Sequence, residues 1–358
     1  MAARTVTRYL AREIYKATAF VFVAFLALFA FFDLINELDD IGGAYRLGHV
    51  FLFVALLVPG HVYELFPIAV LIGTLAALAT LAASSEYTVM RVSGLAPWQA
   101  AGTLARIGTV FVVLTLVVGE LVAPEAERAA QRLRILQLGH TVGADLRTGL
   151  WVKSDTRFVN IGEVRADSTL RNVRIYEFDR DFRLLSISHA ESGRYAGGNV
   201  WKLASVVRTL FGEQGAKVLN LESVDWESVV TPEMLAVLMV VPEKLTAWGL
   251  YQYTQHLAAN KQRTERYEIA LWKKIVYPFA ALVMMGLALP FAYIHVRTGG
   301  IGVKIFSGLM LGVLFHFLNN LFSHLGVLER WPPFTAAALP SAIFLAAAVG
   351  MMWWVERR

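Results

Sequence analysis

The chain has 358 residues, 56% of them hydrophobic, with a mean hydropathy of +0.52 and a formal net charge of +5. A balance this apolar lies outside the usual range of a soluble domain, and the apolar residues gather into long runs, which points to membrane spans in place of one large core. There is no cysteine, which suits a chain with a part in an oxidising compartment, where stray thiols are a liability.

A span needs about 20 mainly apolar residues to cross roughly 30 Å of hydrocarbon. Six segments qualify, at about 16–36, 65–83, 98–122, 270–293, 304–325 and 334–355. The first follows Arg4, Arg8, Arg12 and Lys16, as the core of a signal peptide would. Its alanines, Ala24, Ala27 and Ala30, are spaced by three, so no A-x-A cleavage pattern follows and the segment reads as an uncleaved helix. Pro59 and Glu64 precede the second span. Residues 50–60 then lie along the interface or extend the helix past a proline kink.

Between the second and third spans, "SSEYTVMRVSG" at 84–94 reads as a short polar helix. Ser84 or Ser85 suits its cap, Glu86 its first turn and Gly94 its close, and Tyr87 and Met90, three apart, give it a small apolar face.

The next segment, 137–262, is rich in short β-type stretches: "GLWVKS", "RFVNIGEV", "NVRIYEF", "LLSISHA", "NVWKLASVV" and "KVLNLESVDW". Turn signals at "GGN" (197–199) and "EQG" (213–215) divide them, which predicts an antiparallel sandwich or jelly roll. The fold class is therefore a polytopic α-helical membrane protein, three helices plus three, with an inserted all-β domain. The division is 1–136 for helices 1–3, 137–262 for the β-domain and 263–358 for helices 4–6.

Short-loop charges orient the chain. With the N-terminus in the cytoplasm, nine Lys and Arg residues fall on that side against Arg46 and Arg330 on the other. Both termini are then cytoplasmic, with Trp353 and Trp354 as an interfacial anchor, and the β-domain is periplasmic in a two-membrane (Gram-negative) bacterium.

Hydrolase and phosphate-loop motifs are missing. "GGIGVK" at 299–304 lacks the spacing and the Ser/Thr of a phosphate loop, so the chain is not expected to bind ATP or any other cofactor. Within the fifth span, His316, Asn320 and His324 share one helical face, with Asn319 beside them. A metal site is one reading of this stripe, and interhelical hydrogen bonding or a polar cavity wall is the plainer one. Cations cluster beyond the third span and before the fourth, among them Arg128, Arg132, Arg134, Lys261, Arg263, Arg266, Lys273 and Lys274. They read either as a solvated face against phospholipid headgroups or as a rim that receives an anionic amphiphile.

The stretches "RYLAREI" (8–14), "SEYTVMRVSG" (85–94), "GELVAPEAE" (119–127), "GLWVKSDTRFVNI" (149–161), "RYEIALWKKI" (266–275) and "LPSAIF" (339–344), in this order and spacing, resemble the lipopolysaccharide export permeases of the LptF/LptG type, the G-type subunit most closely. The resemblance covers nearly the whole chain. It implies an inner-membrane permease subunit that is not itself an enzyme, with a periplasmic jelly roll. Implied partners are an F-type sister subunit, a cytoplasmic ATPase dimer that binds the ATP, and a single-span periplasmic bridge protein with a jelly-roll domain. Lipopolysaccharide is extracted from the outer leaflet of the inner membrane and passed to that bridge for transport to the outer membrane. No nucleic-acid partner is implied.

The resemblance also makes 84–94 the coupling helix that docks on the ATPase, with Glu86, Tyr87, Met90 and Arg91 at the contact. Arg132, Arg134, Lys273 and Lys274 are the expected lipopolysaccharide-binding residues. Where relatives can carry a base near the outer end of the first span, this chain has Asp33, followed by Glu37, Asp39 and Asp40. Two other classes fit the residues taken without the resemblance: a non-transporting scaffold or sensor, and an intramembrane lipid-modifying enzyme built on His316 and His324.

Overall fold

The computed structural model describes residues 2–42, 45–94, 96–138, 149–154, 156–164, 169–179, 181–212, 215–228, 242–260, 262–293 and 301–357. Six helical segments are long and apolar enough to cross a membrane, and a six-stranded sheet is inserted between the third and the fourth.

The first span is α1 (Ala2–Leu38). The second, α2 (Leu47–Ala83), runs unbroken through Pro59 and Pro67, so residues 50–60 extend the helix and Glu64 lies within it. Thirty-seven residues make a helix of about 55 Å, well beyond the hydrocarbon thickness. Each proline removes one ladder bond, a loss that membrane helices tolerate where neighbours supply hydrogen bonds. Pro67 leaves the Tyr63 carbonyl without its ladder donor, and at the next residue the Tyr277 hydroxyl donates to the Glu64 carbonyl at 2.6 Å.

α2 is the hub of the bundle. In its most apolar stretch 78% of residues are buried within the chain, against 6% in α1. Two glycines of the fifth span, α9 (Ile301–Leu328), show how closely its neighbours approach. A Cβ on Gly308 would strike the Leu75 side chain and one on Gly312 that of Ile68, the small-xxx-small spacing by which membrane helices interlock.

The short helix α3 (Glu86–Val92) leads into the third span, made of α4 (Pro97–Val117), a π-turn (Val118–Val122) and α5 (Ala123–Leu138). Pro124 has no N–H for the Glu120 carbonyl, and the chain answers with a wider turn in which the Ala123 N–H reaches back five residues to Val118.

After the sheet comes a helix that the strand pattern of 137–262 does not announce, α6 (Ala247–Ala259). Its signal is local: the Thr246 side chain accepts the Gly249 N–H at 3.0 Å, a helix N-cap, and Leu250, Tyr253 and Leu257 follow at helical spacing on the buried side. Leu250 packs with Leu245 and Ala270, against the start of the fourth span. That span is α7 (Glu265–Val276), a 3₁₀ turn at Pro278 and α8 (Ala280–Tyr293), and the sixth is α10 (Pro333–Glu356).

The strands are β1 (Leu150–Ser154), β2 (Arg157–Val164), β3 (Leu170–Phe178), β4 (Leu184–Gly197), β5 (Val200–Gly212) and β6 (Gly215–Glu227). Neighbouring strands all follow chain order and pair antiparallel, a meander without a Greek-key crossover among the described residues. Gly198 and Asn199, both at positive φ, make the two-residue β4–β5 turn that "GGN" predicts.

A meander sheet is two-sided, so it needs a device to enclose a core. The registers of β2 to β6 each skip one residue along a single transverse line, Gly162, Asn172, Glu191, Ser205 and Glu222. Asn172 and Ser205 have left-handed φ there. The buried face changes parity across the line: Leu170 then Val173 on β3, Ala190 then Gly193 on β4, Leu203 then Val206 on β5. These strands thus turn a corner at the same level, which closes one sheet over a core of Val159, Ile161, Val173, Trp201, Leu203 and Trp226.

Candidate functional site

α3 sits where four spans end. The Glu86 carboxylate accepts the Tyr9 hydroxyl of α1 at 2.7 Å on one oxygen and the Ser84 hydroxyl at 3.0 Å on the other. Neither serine caps the helix through its side chain. Ser85 takes a left-handed backbone at the junction with α2, so α3 keeps seven residues, about 10 Å, of the expected 84–94. Gly94, at φ 102°, closes it as expected.

Tyr87 turns inward. It is 2% exposed, belongs to the main helical core and meets the ring of Tyr293, at the end of α8, edge-on at 5.4 Å. Burial pushes its hydroxyl pKa well up, so it is a neutral anchor. The Arg91 guanidinium lies 4.5 Å over the other partner of that contact, the Tyr293 ring, while Met90 is half-buried. The face left outward is Thr88, Val89, Arg91 and Val92, beside a dent of about 550 Å³ lined by Thr88, Arg91, Val92, Gly94, Ala96 and Pro97. The sequence pattern places Tyr87 and Met90 on one face, and Tyr293 decides that this face points in.

On the opposite side of the bundle the four expected lipid-binding cations have separate surroundings. Arg134 pairs with Asp40 and, at 3.4 Å, with Glu37, whose other contact is the Tyr45 hydroxyl at 2.9 Å. The acidic run after the first span is therefore the counterpart of Arg134. Asp33 is met by His61 of α2, with Nε2 at 2.6 Å. Arg132 is exposed and makes no ion pair among the described residues, and Lys273 is half-buried.

Lys274 is buried. Its ammonium donates to the Leu245 carbonyl, lies 4.0 Å from a Glu120 oxygen and stands over the Tyr63 ring. Glu120, in the π-turn, also accepts the Ala247 N–H at 2.9 Å, and Glu127 accepts the Lys244 ammonium at 2.8 Å. Two carboxylates of "GELVAPEAE", about two turns apart on the third span, thereby clamp the segment that returns from the β-domain. Lys261 lies outside the described residues.

The fifth-span stripe is exposed at His316, Asn320 and His324. The Asn320 side-chain nitrogen is 3.1 Å from His316 Nε2, and the Asn320 backbone carbonyl oxygen is 2.8 Å from His324 Nδ1. Among the described residues no three His, Asp or Glu side chains are grouped to hold a metal ion, and the two contacts present run within the helix, between residues four apart, and not between helices as the plainer reading has them.

Six apolar helical segments, with a β-sheet inserted between the third and the fourth, define a polytopic helical membrane protein. The profile of the family "Lipopolysaccharide export system permease LptF/LptG" matches residues 8–354, and the chain belongs to that family. The lipopolysaccharide export system permease protein LptG of Haemophilus influenzae is 29% identical over 356 residues, 99% of this chain and 98% of the relative. The protein of the same name from Escherichia coli K12 is 30% identical over 354 residues, 98% of each.

Proposed function

We propose that this chain is the G-type permease subunit of an ATP-driven lipopolysaccharide exporter in a Gram-negative inner membrane. In this reading it pairs with an F-type sister subunit and is driven by a cytoplasmic ATPase dimer. It draws lipopolysaccharide from the outer leaflet and passes it to a single-span periplasmic protein whose jelly roll continues a bridge. The observation that carries the proposal, beside family membership, is α3: an acidic and apolar knob at the junction of four spans, on a chain without a nucleotide motif. Bare flanks on α1, α9 and α10 give the sister subunit or lipid a place to pack. The test is reconstitution with candidate ATPase and sister subunits, read as lipopolysaccharide release that requires ATP.

The orientation carries its own expected result. With α3 cytoplasmic and the sheet periplasmic, a cysteine at Ser192 reacts with a membrane-impermeant thiol reagent in cells with a permeable outer membrane. One at Ser93 stays unlabelled until the inner membrane is broken. The reverse pattern removes the coupling role of α3.

At the outer rim, Arg132, Arg134 and Lys273 are assigned to the lipid's phosphates, with Lys274 behind them as a support. Arg132, exposed and without an ion pair among the described residues, is the most direct test. An exposed charge contact is worth about 1 kcal/mol, so Arg132→Glu should weaken crosslinking to lipopolysaccharide about fivefold with assembly intact. Unchanged crosslinking in an Arg132→Glu/Arg134→Glu double variant returns these residues to a solvated face.

A further inference from the structure

We propose that Tyr9 is a positioning residue of the coupling contact: its hydroxyl holds the Glu86 carboxylate and ties the first span to α3. The inference rests on the reading of α3 as the ATPase contact and names how movement there reaches α1. Glu86 has two carboxylate oxygens, and the chain itself occupies both, one from α1 through Tyr9 and one from the end of α2 through Ser84. Both donors are neutral hydroxyls. They fix the direction of the carboxylate without cancelling its charge, so it remains available to a cation on a docked partner. An arginine in the place of Tyr9 would orient it equally well and neutralise it.

The link has a firm base on the α1 side. Leu10, next to Tyr9, and Ile14 are 1% and 0% exposed, in the same core that receives Tyr87. Tyr9 itself is 40% exposed, so its hydroxyl is not needed to fill space. A shift of α3 relative to the bundle must therefore either break the Tyr9–Glu86 bond or draw the inner end of α1 with it. The rest of α1 is the span with the least burial in its own chain, the helix freest to follow.

Tyr9→Phe keeps the ring and removes the donor. In proteoliposomes holding the complete complex, the ratio of lipopolysaccharide released to ATP hydrolysed should fall about threefold, the scale of one partly exposed hydrogen bond to a charge. Because the hydroxyl acts through Glu86, Tyr9→Phe with Glu86→Gln should be no worse than Glu86→Gln alone. A wild-type ratio in Tyr9→Phe, losses that multiply in the double variant, or a Tyr9→Phe chain that no longer assembles would each overturn the inference. Glu86→Lys is the companion measurement. If it keeps wild-type ATPase co-purification and release, the coupling reading of α3 falls and this inference with it. If it fails while Tyr9→Phe is silent, only the role of Tyr9 falls.

Discussion

Glu86→Lys is expected to lose ATPase co-purification and lipopolysaccharide release together, by about 30-fold or more. Glu86 is the only carboxylate on α3, and it stands beside an outward face of Thr88, Val89, Arg91 and Val92. A cation lining a partner's cleft would be paired and partly desolvated against it. Breaking such a pair costs about 2–5 kcal/mol, and reversal adds repulsion. Inside the chain, the introduced ammonium would also offer Tyr9 and Ser84 a donor where both now meet an acceptor. Glu86→Gln loses the charge and one of the two acceptor oxygens but adds no repulsion, so its loss should be several-fold. Co-purification and ATP-dependent release, measured side by side, check both. Wild-type levels of both in Glu86→Lys would mean that α3 docks elsewhere or not at all.

Lys274→Glu should leave little assembled protein. The replacement would set a carboxylate against the Leu245 carbonyl and the Glu120 carboxylate in a site where Lys274 is 6% exposed. Removing one partner of a buried pair costs about 3–5 kcal/mol, and this change also adds a like charge. Lys274→Met is the informative control. It keeps an apolar side chain of similar length, removes the charge that stands over Tyr63, and leaves Glu120 its bond from the Ala247 N–H. Its yield in detergent should fall below wild type but stay well above that of Lys274→Glu, and each assembled complex should crosslink lipopolysaccharide normally. If Lys274→Met folds well but loses crosslinking, Lys274 touches the lipid and its assignment to the clamp is wrong.

The spans and the strands were legible because each rests on a local period. All six β-stretches read from the sequence appear as strands, and each apolar run lies inside a helical segment. The start of α2 was less legible: Pro59 and Glu64 read as a boundary in isolation, whereas packing around the hub lets the helix continue through them. The corner in the sheet was hidden for a related reason. It is a coincidence of single residues on five strands, visible only once the registers align. At α3 the residue types were legible and their directions were not, since seven residues cannot tell which side Tyr293 will cover. Charge was the hardest to place. Arg134 and Lys274 stand out in sequence as cations, but their partners Asp40 and Glu120 lie in different spans and loops, and only the fold shows which charges are already answered.

The clamp between the third span and the returning segment also sets a timetable for synthesis. Lys244 follows Glu127 by 117 residues, and Ala247 follows Glu120 by 127. At about 5–20 residues per second, the third helix enters the bilayer roughly 6–25 s before either glutamate can meet its partner. During that interval the ribosome is producing the β-domain, and the first three helices are an unfinished half in which the last helix carries two carboxylates awaiting chain not yet made. The native joint between the halves can form only after the whole inserted domain has been made and the chain has come back to the bundle, so closure of the bundle reports that the domain is complete.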